Sequence, residues 1–268
     1  MSCLIEVEHL HYRYPEGRAA LGNLTFHLSH GERVGLIGPN GAGKTTLLLL
    51  LGGLLPDFSG SARVAGHDLQ TRAGRQQVHR HLGLVFQHAE DQLLHATVFE
   101  DVAFGPLNLG LPETEVRRRV DAALASVGLD DTARDRVPFH LSAGEQRRVA
   151  IAGVVAMAPQ VLLLDEPTSD LDPRGRRELV RILEGLPITR IISSHNLEFV
   201  LDTCDRVLLL DEGRLVADGP VRRVLANEPL MLRHGLEVPS CLSAAERHEA
   251  TLAGPLPLPV PHVHPHPH

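Results

Sequence analysis

One short glycine-rich run contains the residues best suited to hold a chain of phosphates. It reads Gly38, Pro39, Asn40, Gly41, Ala42, Gly43, Lys44 and Thr45, with Thr46 directly after it. Glycines let successive backbone N–H groups turn inward around an anion, and the Thr45 hydroxyl can bind Mg²⁺. Lys44 is the only lysine of the chain. An ammonium group is a compact charge that reaches between two phosphates, whereas a guanidinium is a wide planar fork, so the run predicts a nucleoside triphosphate site.

The segments on either side of this loop predict the elements that position it. Residues 33–37 have the apolar character of a buried strand, and residues 46–51 are typical of a helix. A phosphate loop between a strand and a helix places the positive end of the helix dipole at the anion. The local sequence therefore agrees with the chemistry of the loop.

Two carboxylates follow a second apolar run, residues 161–164. They are Asp165 and Glu166, at the predicted carboxyl end of a parallel strand, where ligands bind in open α/β sheets. Asp165 is suited to hold Mg²⁺ directly or through water. Glu166 is suited to polarise an attacking water as a general base.

A third pattern, Ser142-x-x-Glu145, precedes a helix predicted over residues 142–157. It is a capping box, which needs no function beyond starting the helix. A helix start that contains Ser142 and Gly144 is also suited to bind an anion. Because the phosphate loop already satisfies the chain's own nucleotide, this second anion site could serve the nucleotide of another chain.

Length and composition limit the classes of protein that the chain can belong to. With 268 residues and 43% hydrophobic residues, it is long enough for one large α/β domain with a real core. The net charge of −7 and the pI of about 6.2 argue against a nucleic-acid partner. Its three widely spaced cysteines fit a reducing cytosol. No signal peptide or membrane span is predicted, so any membrane connection requires a partner protein.

Strand patterns alternate with helix patterns along most of the chain, which predicts an α/β fold. We expect a three-layer P-loop core with antiparallel strands near the N-terminus and an α-helical subdomain inserted at about residues 88–157. The predicted nucleotide-binding domain covers residues 1–240. Residues 241–268 are predicted to form a C-terminal extension, whose Pro/His-rich end, residues 254–268, is expected to be disordered.

Taken together, these motifs resemble the ATPase subunits of ATP-binding-cassette (ABC) transporters over about residues 4–220. In that resemblance Gln87 corresponds to the glutamine loop, and residues 141–145 correspond to the family signature. Residues 169–172 resemble the loop that communicates across the dimer, and His195 matches the switch histidine. Tyr14 looks like the aromatic residue that stacks on adenine, and Tyr12 is the alternative because both alternate along one stretch.

The resemblance implies that the nucleotide is ATP and that Mg²⁺ is its cofactor. The residues that it implies for catalysis are Lys44, Gln87, Glu166 and His195. The residues implied near Mg²⁺ are Thr45, Gln87 and Asp165. The remaining residues implied to bind ATP are Tyr14, Gly38, Pro39, Asn40, Gly41, Ala42, Gly43 and Thr46, with Ser142 and Gly144 supplied by a facing ATPase subunit.

Three positions depart from the family pattern. Ala143 stands where the signature usually has its first glycine, and Glu145 stands where glutamine is common. Asn196 follows His195 where aspartate is frequent. The departure at Asn196 is expected to be minor, whereas those in the signature leave open whether the second ATPase subunit is an identical chain or a sister chain.

Residues 88–110 narrow the resemblance to the energy-coupling-factor branch, and most nearly to the ATPases of cobalt and nickel importers. That branch implies an integral membrane coupling subunit, a substrate-capturing membrane subunit, and a position at the cytoplasmic face of the membrane. An importer of a vitamin such as biotin, riboflavin or thiamine fits the same residues. The histidines among residues 262–268 are compatible with Ni²⁺ or Co²⁺ but do not decide between these cargoes.

Two other classes fit less well. A non-transport cassette ATPase would usually need a second cassette, a long coiled coil or a basic surface. A GTP-binding switch would need the guanine-reading pattern Asn-Lys-x-Asp, which the single lysine in the phosphate loop excludes.

Overall fold

The computed structural model describes residues 3–252 and residue 258. The Pro/His-rich end, residues 254–268, falls outside the described residues except for Leu258, which is exposed. Metal binding by the histidines among residues 262–268 therefore stays a prediction.

Within the described part of the chain, the strands form two sheets. Their bounds are β1 Cys3–Arg13, β2 Ala19–Ser29, β3 Arg33–Ile37, β4 Ser59–Val64, β5 His67–Asp68, β6 Leu82–Val85, β7 Val161–Asp165, β8 Thr189–Ser193, β9 Arg206–Asp211 and β10 Arg214–Pro220. An antiparallel sheet has the order β2-β1-β4-β5. The main sheet has the order β10-β9-β3-β8-β7-β6 and is parallel except for β10, which forms a terminal hairpin with β9.

Helices cover the main sheet and fill the segment between β6 and β7. Their bounds are α1 Lys44–Leu51, α2 Arg72–Val78, α3 Val98–Asn108, α4 Glu113–Ser126, α5 Ala143–Val155, α6 Pro173–Gly185, α7 Leu197–Thr203, α8 Val221–Leu225, α9 Glu228–Arg233 and α10 Ala244–Leu252. The inserted helices α3, α4 and α5 pack on one another. They form the helical subdomain that the sequence predicts as an insertion between two strands of the main sheet.

Both faces of the main sheet are buried, which explains the uninterrupted apolar run in β7. Val161 and Leu163 belong to a core shared with α1 and the antiparallel sheet. Leu162 and Leu164 point the other way, into a core shared with α5 and α6. Because α1 contacts β2, β4 and β7, it is sandwiched between the two sheets. The predicted three-layer α/β fold is confirmed.

Two expectations about element bounds need correction. Helix α1 begins at Lys44 rather than at residue 46, because Gly43 (φ 101°) forms its cap. Residues 241–252, assigned from sequence to the extension, include α10, which packs on α8 and α9. Leu242 and Ala250 are buried there, so the hydrophobic core continues beyond residue 240.

Candidate nucleotide-binding site

The phosphate loop joins the carboxyl end of β3 to the start of α1, and close backbone contacts fix its path. Gly38 adopts φ 148°, and a Cβ there would overlap the carbonyl oxygen of Leu210 in β9. Gly43 adopts φ 101°, and a Cβ there would lie 2.7 Å from the carbonyl oxygen of Ala20 in β2. Glycine is therefore required at both positions by the neighbouring strands.

The turn of the terminal hairpin lies against the same loop. The backbone N–H of Gly213 donates to the carbonyl of Ala42 at 3.0 Å, and the carbonyl of Gly213 accepts from the N–H of Gly22 at 2.8 Å. The phosphate loop is thus held between the antiparallel sheet and the last hairpin of the main sheet.

Lys44 points back over the loop and is only 7% exposed. Its Nζ donates to the carbonyl oxygens of Gly38 at 2.8 Å and Pro39 at 3.1 Å. Burial lowers the pKa of Lys44, and the negative charges of Glu166 and Asp165 oppose that change. Charge-assisted hydrogen bonds are stronger than those to neutral acceptors. The buried ammonium is therefore held more strongly when anionic phosphate oxygens replace the carbonyls.

The two carboxylates lie at the end of β7, as the sequence predicts. Asp165 is 4% exposed, and its Oδ1 is buried with no hydrogen-bond partner among the described residues. Leaving such an oxygen unpaired is costly, and a cation would satisfy it. Thr45 and Gln87 line the same cleft, so the donor set fits Mg²⁺.

Glu166 lies next to His195. The backbone N–H of His195 donates to Oε2 of Glu166 at 3.0 Å. His195 Nε2 is 3.1 Å from the other oxygen, Oε1, but is not aligned for a hydrogen bond, so Oε1 has no hydrogen-bond partner in the described part of the chain. Glu166 itself has φ 45°, a left-handed backbone that non-glycine residues adopt rarely and often at functional sites.

These groups line one cleft of about 280 Å³. Its walls are formed by Tyr14, Arg18, Asn40, Gly41, Ala42, Gly43, Lys44, Thr45, Thr46, Gln87, Asp165, Glu166, Ser193 and His195. The structure therefore brings together residues from five separate parts of the sequence, as the motif analysis requires. Gly38 and Pro39 do not line the walls. Their carbonyl oxygens instead accept the hydrogen bonds of Lys44.

The structure separates the two tyrosines considered for the adenine ring. Tyr14 lies at the cleft, with its hydroxyl 3.0 Å from Oγ1 of Thr46, whereas Tyr12 is 7% exposed and belongs to the core. The placement supports Tyr14 as the stacking residue.

Three residues near the site were not singled out from the sequence. Arg18 lines the cleft with its guanidinium 5.9 Å from the centre of the Tyr14 ring. Ser193 lines it as the register partner of Asp165. Arg147, buried on α5, donates to the carbonyls of Glu166 at 3.4 Å and Ser169 at 3.3 Å. Only Arg18 had a local signal, namely a cation at the turn that follows Tyr14.

The signature residues are outside this cleft. Ser142 and Gly144 lie at the start of α5, and neither lines the walls around Lys44. Ser142 forms the predicted capping box with Glu145: its Oγ accepts from the N–H of Glu145 at 3.3 Å and donates to Oε2 at 2.8 Å. Within one chain, the predicted second anion site therefore lies outside the cleft of the phosphate loop.

None of the helices among the described residues combines the length and the apolar character that a bilayer span requires.

Comparison with known proteins identifies the family. The model of the ABC transporter family matches residues 21–169. The cobalt import ATP-binding protein CbiO of Rhodobacter capsulatus is 45% identical over 249 residues, which cover 91% of this chain and 89% of that protein. The energy-coupling factor transporter ATP-binding protein EcfA of Methanothermobacter thermautotrophicus is 43% identical over 240 residues, covering 88% of this chain and 77% of that protein.

A solved structure agrees with both relatives. CbiO1 of Clostridium perfringens, described as part of the ABC transporter complex CbiONQ, matches with a TM-score of 0.78 and 36% identity. The match covers 94% of this chain and 99% of that one. The chain therefore belongs to the ABC transporter family, as an ATP-hydrolysing cassette that resembles those of the energy-coupling-factor and cobalt-import branch.

Proposed function

We propose that this chain powers an importer of the energy-coupling-factor type, with cobalt or nickel ions as its cargo. The observation that supports the hydrolytic role most directly is the meeting of Lys44, Asp165, Glu166 and His195 in one cleft. The similarity to CbiO and EcfA supports the branch.

In this proposal the phosphate loop and Lys44 hold the β- and γ-phosphates of ATP. Lys44 exchanges the carbonyls of Gly38 and Pro39 for phosphate oxygens as the nucleotide enters. Mg²⁺, held by Thr45 and Asp165 with Gln87 nearby, would neutralise charge on the phosphates.

Glu166 acts as the general base in the same scheme. Its Oε1 is free to accept a proton from water, because Oε2 already receives the backbone N–H of His195. In the same scheme the His195 ring, whose Nε2 lies 3.1 Å from Oε1 of Glu166, reports on the γ-phosphate.

The cleft supports a second ATPase subunit as partner. Ser142 and Gly144 of the chain itself do not line the cleft, so in this proposal they are supplied by the second subunit. The start of a helix favours an anion, so in this proposal a facing subunit of the same kind presents the start of its α5 to the nucleotide. Both identical and sister subunits satisfy this requirement.

A separate apolar groove of about 520 Å³ supports a membrane partner. Phe86, Phe104 and Met157 line it, and Phe104 is 51% exposed. Phe86 directly precedes Gln87, so the groove and the nucleotide cleft share one segment of chain. A helix of an integral membrane subunit in this groove would link the cassette to the cytoplasmic face of the membrane, and movement of Gln87 would reach that helix.

The cargo is chosen by other subunits, so it rests on the similarity to relatives. CbiO of Rhodobacter capsulatus is named for cobalt import, whereas EcfA is named for energy coupling alone. A vitamin importer with the same cassette is therefore the second candidate.

Purification from membranes tests the proposal. The tagged chain should co-purify with an integral membrane subunit and a substrate-capturing subunit, and the complex in vesicles should take up Co²⁺ or Ni²⁺ when Mg·ATP is supplied. Uptake of biotin, riboflavin or thiamine in place of metal would instead support the second candidate, a vitamin importer. A chain that hydrolyses ATP but has no membrane partner would contradict the importer role.

A further inference from the structure

The start of α5 contains an ion pair that the capping box does not need. Oε2 of Glu145 accepts from the backbone N–H of Ser142 at 2.9 Å and from its hydroxyl at 2.8 Å. Oε1 accepts from Nη1 of Arg136 at 2.8 Å. One carboxylate oxygen therefore serves the cap, and the other serves an arginine from a different loop.

The negative charge of Glu145 is permanent under physiological conditions. The N–H of Ser142 and, to a smaller extent, its hydroxyl and Arg136 lower the pKa of Glu145 to about 2, against the opposing effect of burial. Glutamine completes a capping box as well as glutamate does, so the cap itself requires no charge. The cap thus leaves a full negative charge at the place where the proposed function needs an anion site.

Stability does not account for the arginine either. The side chains of Arg136 and Glu145 are 43% and 22% exposed, and ion pairs this accessible contribute little to folding because water screens them. The backbone of Arg136 is fixed independently, since its carbonyl accepts from the N–H of Val98 at the start of α3 at 3.1 Å. The backbone of Arg136 is thus hydrogen-bonded to the start of α3, while its side chain reaches α5.

We propose that Arg136 is a positioning residue for ATP held by a facing subunit: it compensates the charge of Glu145 so that Ser142 and the first N–H groups of α5 can donate hydrogen bonds to the γ-phosphate. This inference rests on the proposed function, in which the start of α5 completes the nucleotide site of another subunit. Without Arg136, a bare carboxylate bonded to the Ser142 hydroxyl would repel that phosphate. With glutamine at position 145, no compensation would be needed.

A double-mutant cycle tests the inference in the complex as purified. Arg136→Ala should lower kcat/KM for ATP by about five- to tenfold, because an uncompensated charge then lies near the phosphate. Adding Glu145→Gln to Arg136→Ala should restore kcat/KM to within about twofold of the single Glu145→Gln variant, because the charge that Arg136 compensates is then absent. Arg136→Lys should retain activity, and the Arg136→Ala defect should shrink as salt is raised.

Arg118→Ala is the control, since it removes another exposed arginine from an ion pair, here with Glu115 on α4, and Glu115 keeps Arg119 as a partner. If Arg136→Ala behaves like this control, or if Glu145→Gln fails to rescue it, the inference is overturned. If the wild-type complex neither binds nor hydrolyses Mg·ATP, the proposed function fails instead, so the two failures are distinguishable.

Discussion

At the scale of single residues, the cleft depends on charged groups that are buried yet incompletely paired. Lys44 is held by neutral carbonyls, and Asp165 keeps an unpaired oxygen among the described residues. In a protein selected only for stability, such groups would be costly. Their cost is offset when ATP and Mg²⁺ supply the missing partners, which explains why these residues are sensitive probes of function.

Glu166→Gln should slow ATP hydrolysis by about a hundredfold or more, because an amide cannot accept the proton of the attacking water. Nucleotide binding should persist, and ATP-bound dimers should accumulate. Phosphate release and size-exclusion chromatography with Mg·ATP measure the two effects. Glu178→Gln, at an exposed ion pair with Arg174 on α6, is the control for the same chemical change. Rapid turnover by Glu166→Gln would rule out its assignment as the base.

Lys44→Ala should weaken ATP binding by about ten- to a hundredfold, since hydrogen bonds to charged groups are the stronger kind. Lys44→Arg should also bind poorly, because the planar fork does not fit the space of a point charge. Thermal unfolding with and without Mg·ATP is the measurement: both variants should lose the nucleotide-dependent rise in Tm. An undiminished rise in Lys44→Ala would remove Lys44 from the site.

At the scale of elements, two helix starts are built alike but are assigned different roles. Thr97 and Glu100 cap α3, and Ser142 and Glu145 cap α5, each through a complete capping box. Only the second is proposed to meet a nucleotide. The chain therefore allows a comparison between a cap with no proposed ligand and a cap that is proposed to bind an anion.

Thr97→Ala and Ser142→Ala should each lower the free energy of unfolding by about 1 kcal/mol, as lost caps do. Only Ser142→Ala should also reduce ATP hydrolysis, and its effect should appear in the complex with a facing subunit. Denaturant unfolding and steady-state hydrolysis give the two readings. Equal hydrolysis by both variants would leave Ser142 with a structural role alone.

At the scale of the whole molecule, the sequence predicts those parts of the site whose residues lie close together along the chain. The glycines around Lys44, the carboxylates after an apolar run and the cap at Ser142 each have a nearby signal. Alternation treats Tyr12 and Tyr14 alike, so the sequence favours Tyr14 only through its proximity to the turn. In the structure β1 ends at Arg13, so Tyr14 leaves the strand and reaches the cleft while Tyr12 stays in the core.

Features created by distant contacts could not be predicted. Ser193 enters the cleft because the β7–β8 register pairs it with Asp165, and a single sequence does not reveal register. The folding of residues 241–252 onto α8 depends on apolar side chains spread too sparsely to mark a domain edge.

The backing of the phosphate loop by β9 and the last hairpin has a consequence for dissecting this chain. Gly38 lies against Leu210, and Ala42 is bonded to Gly213, although the final recognisable motif residue is His195. A fragment that ends after His195 would contain every motif of the family, but it would lack β9 and the hairpin that pack against the phosphate loop. The smallest autonomous nucleotide-binding unit is therefore set by strand neighbours rather than by motifs, and it must reach at least through the terminal hairpin.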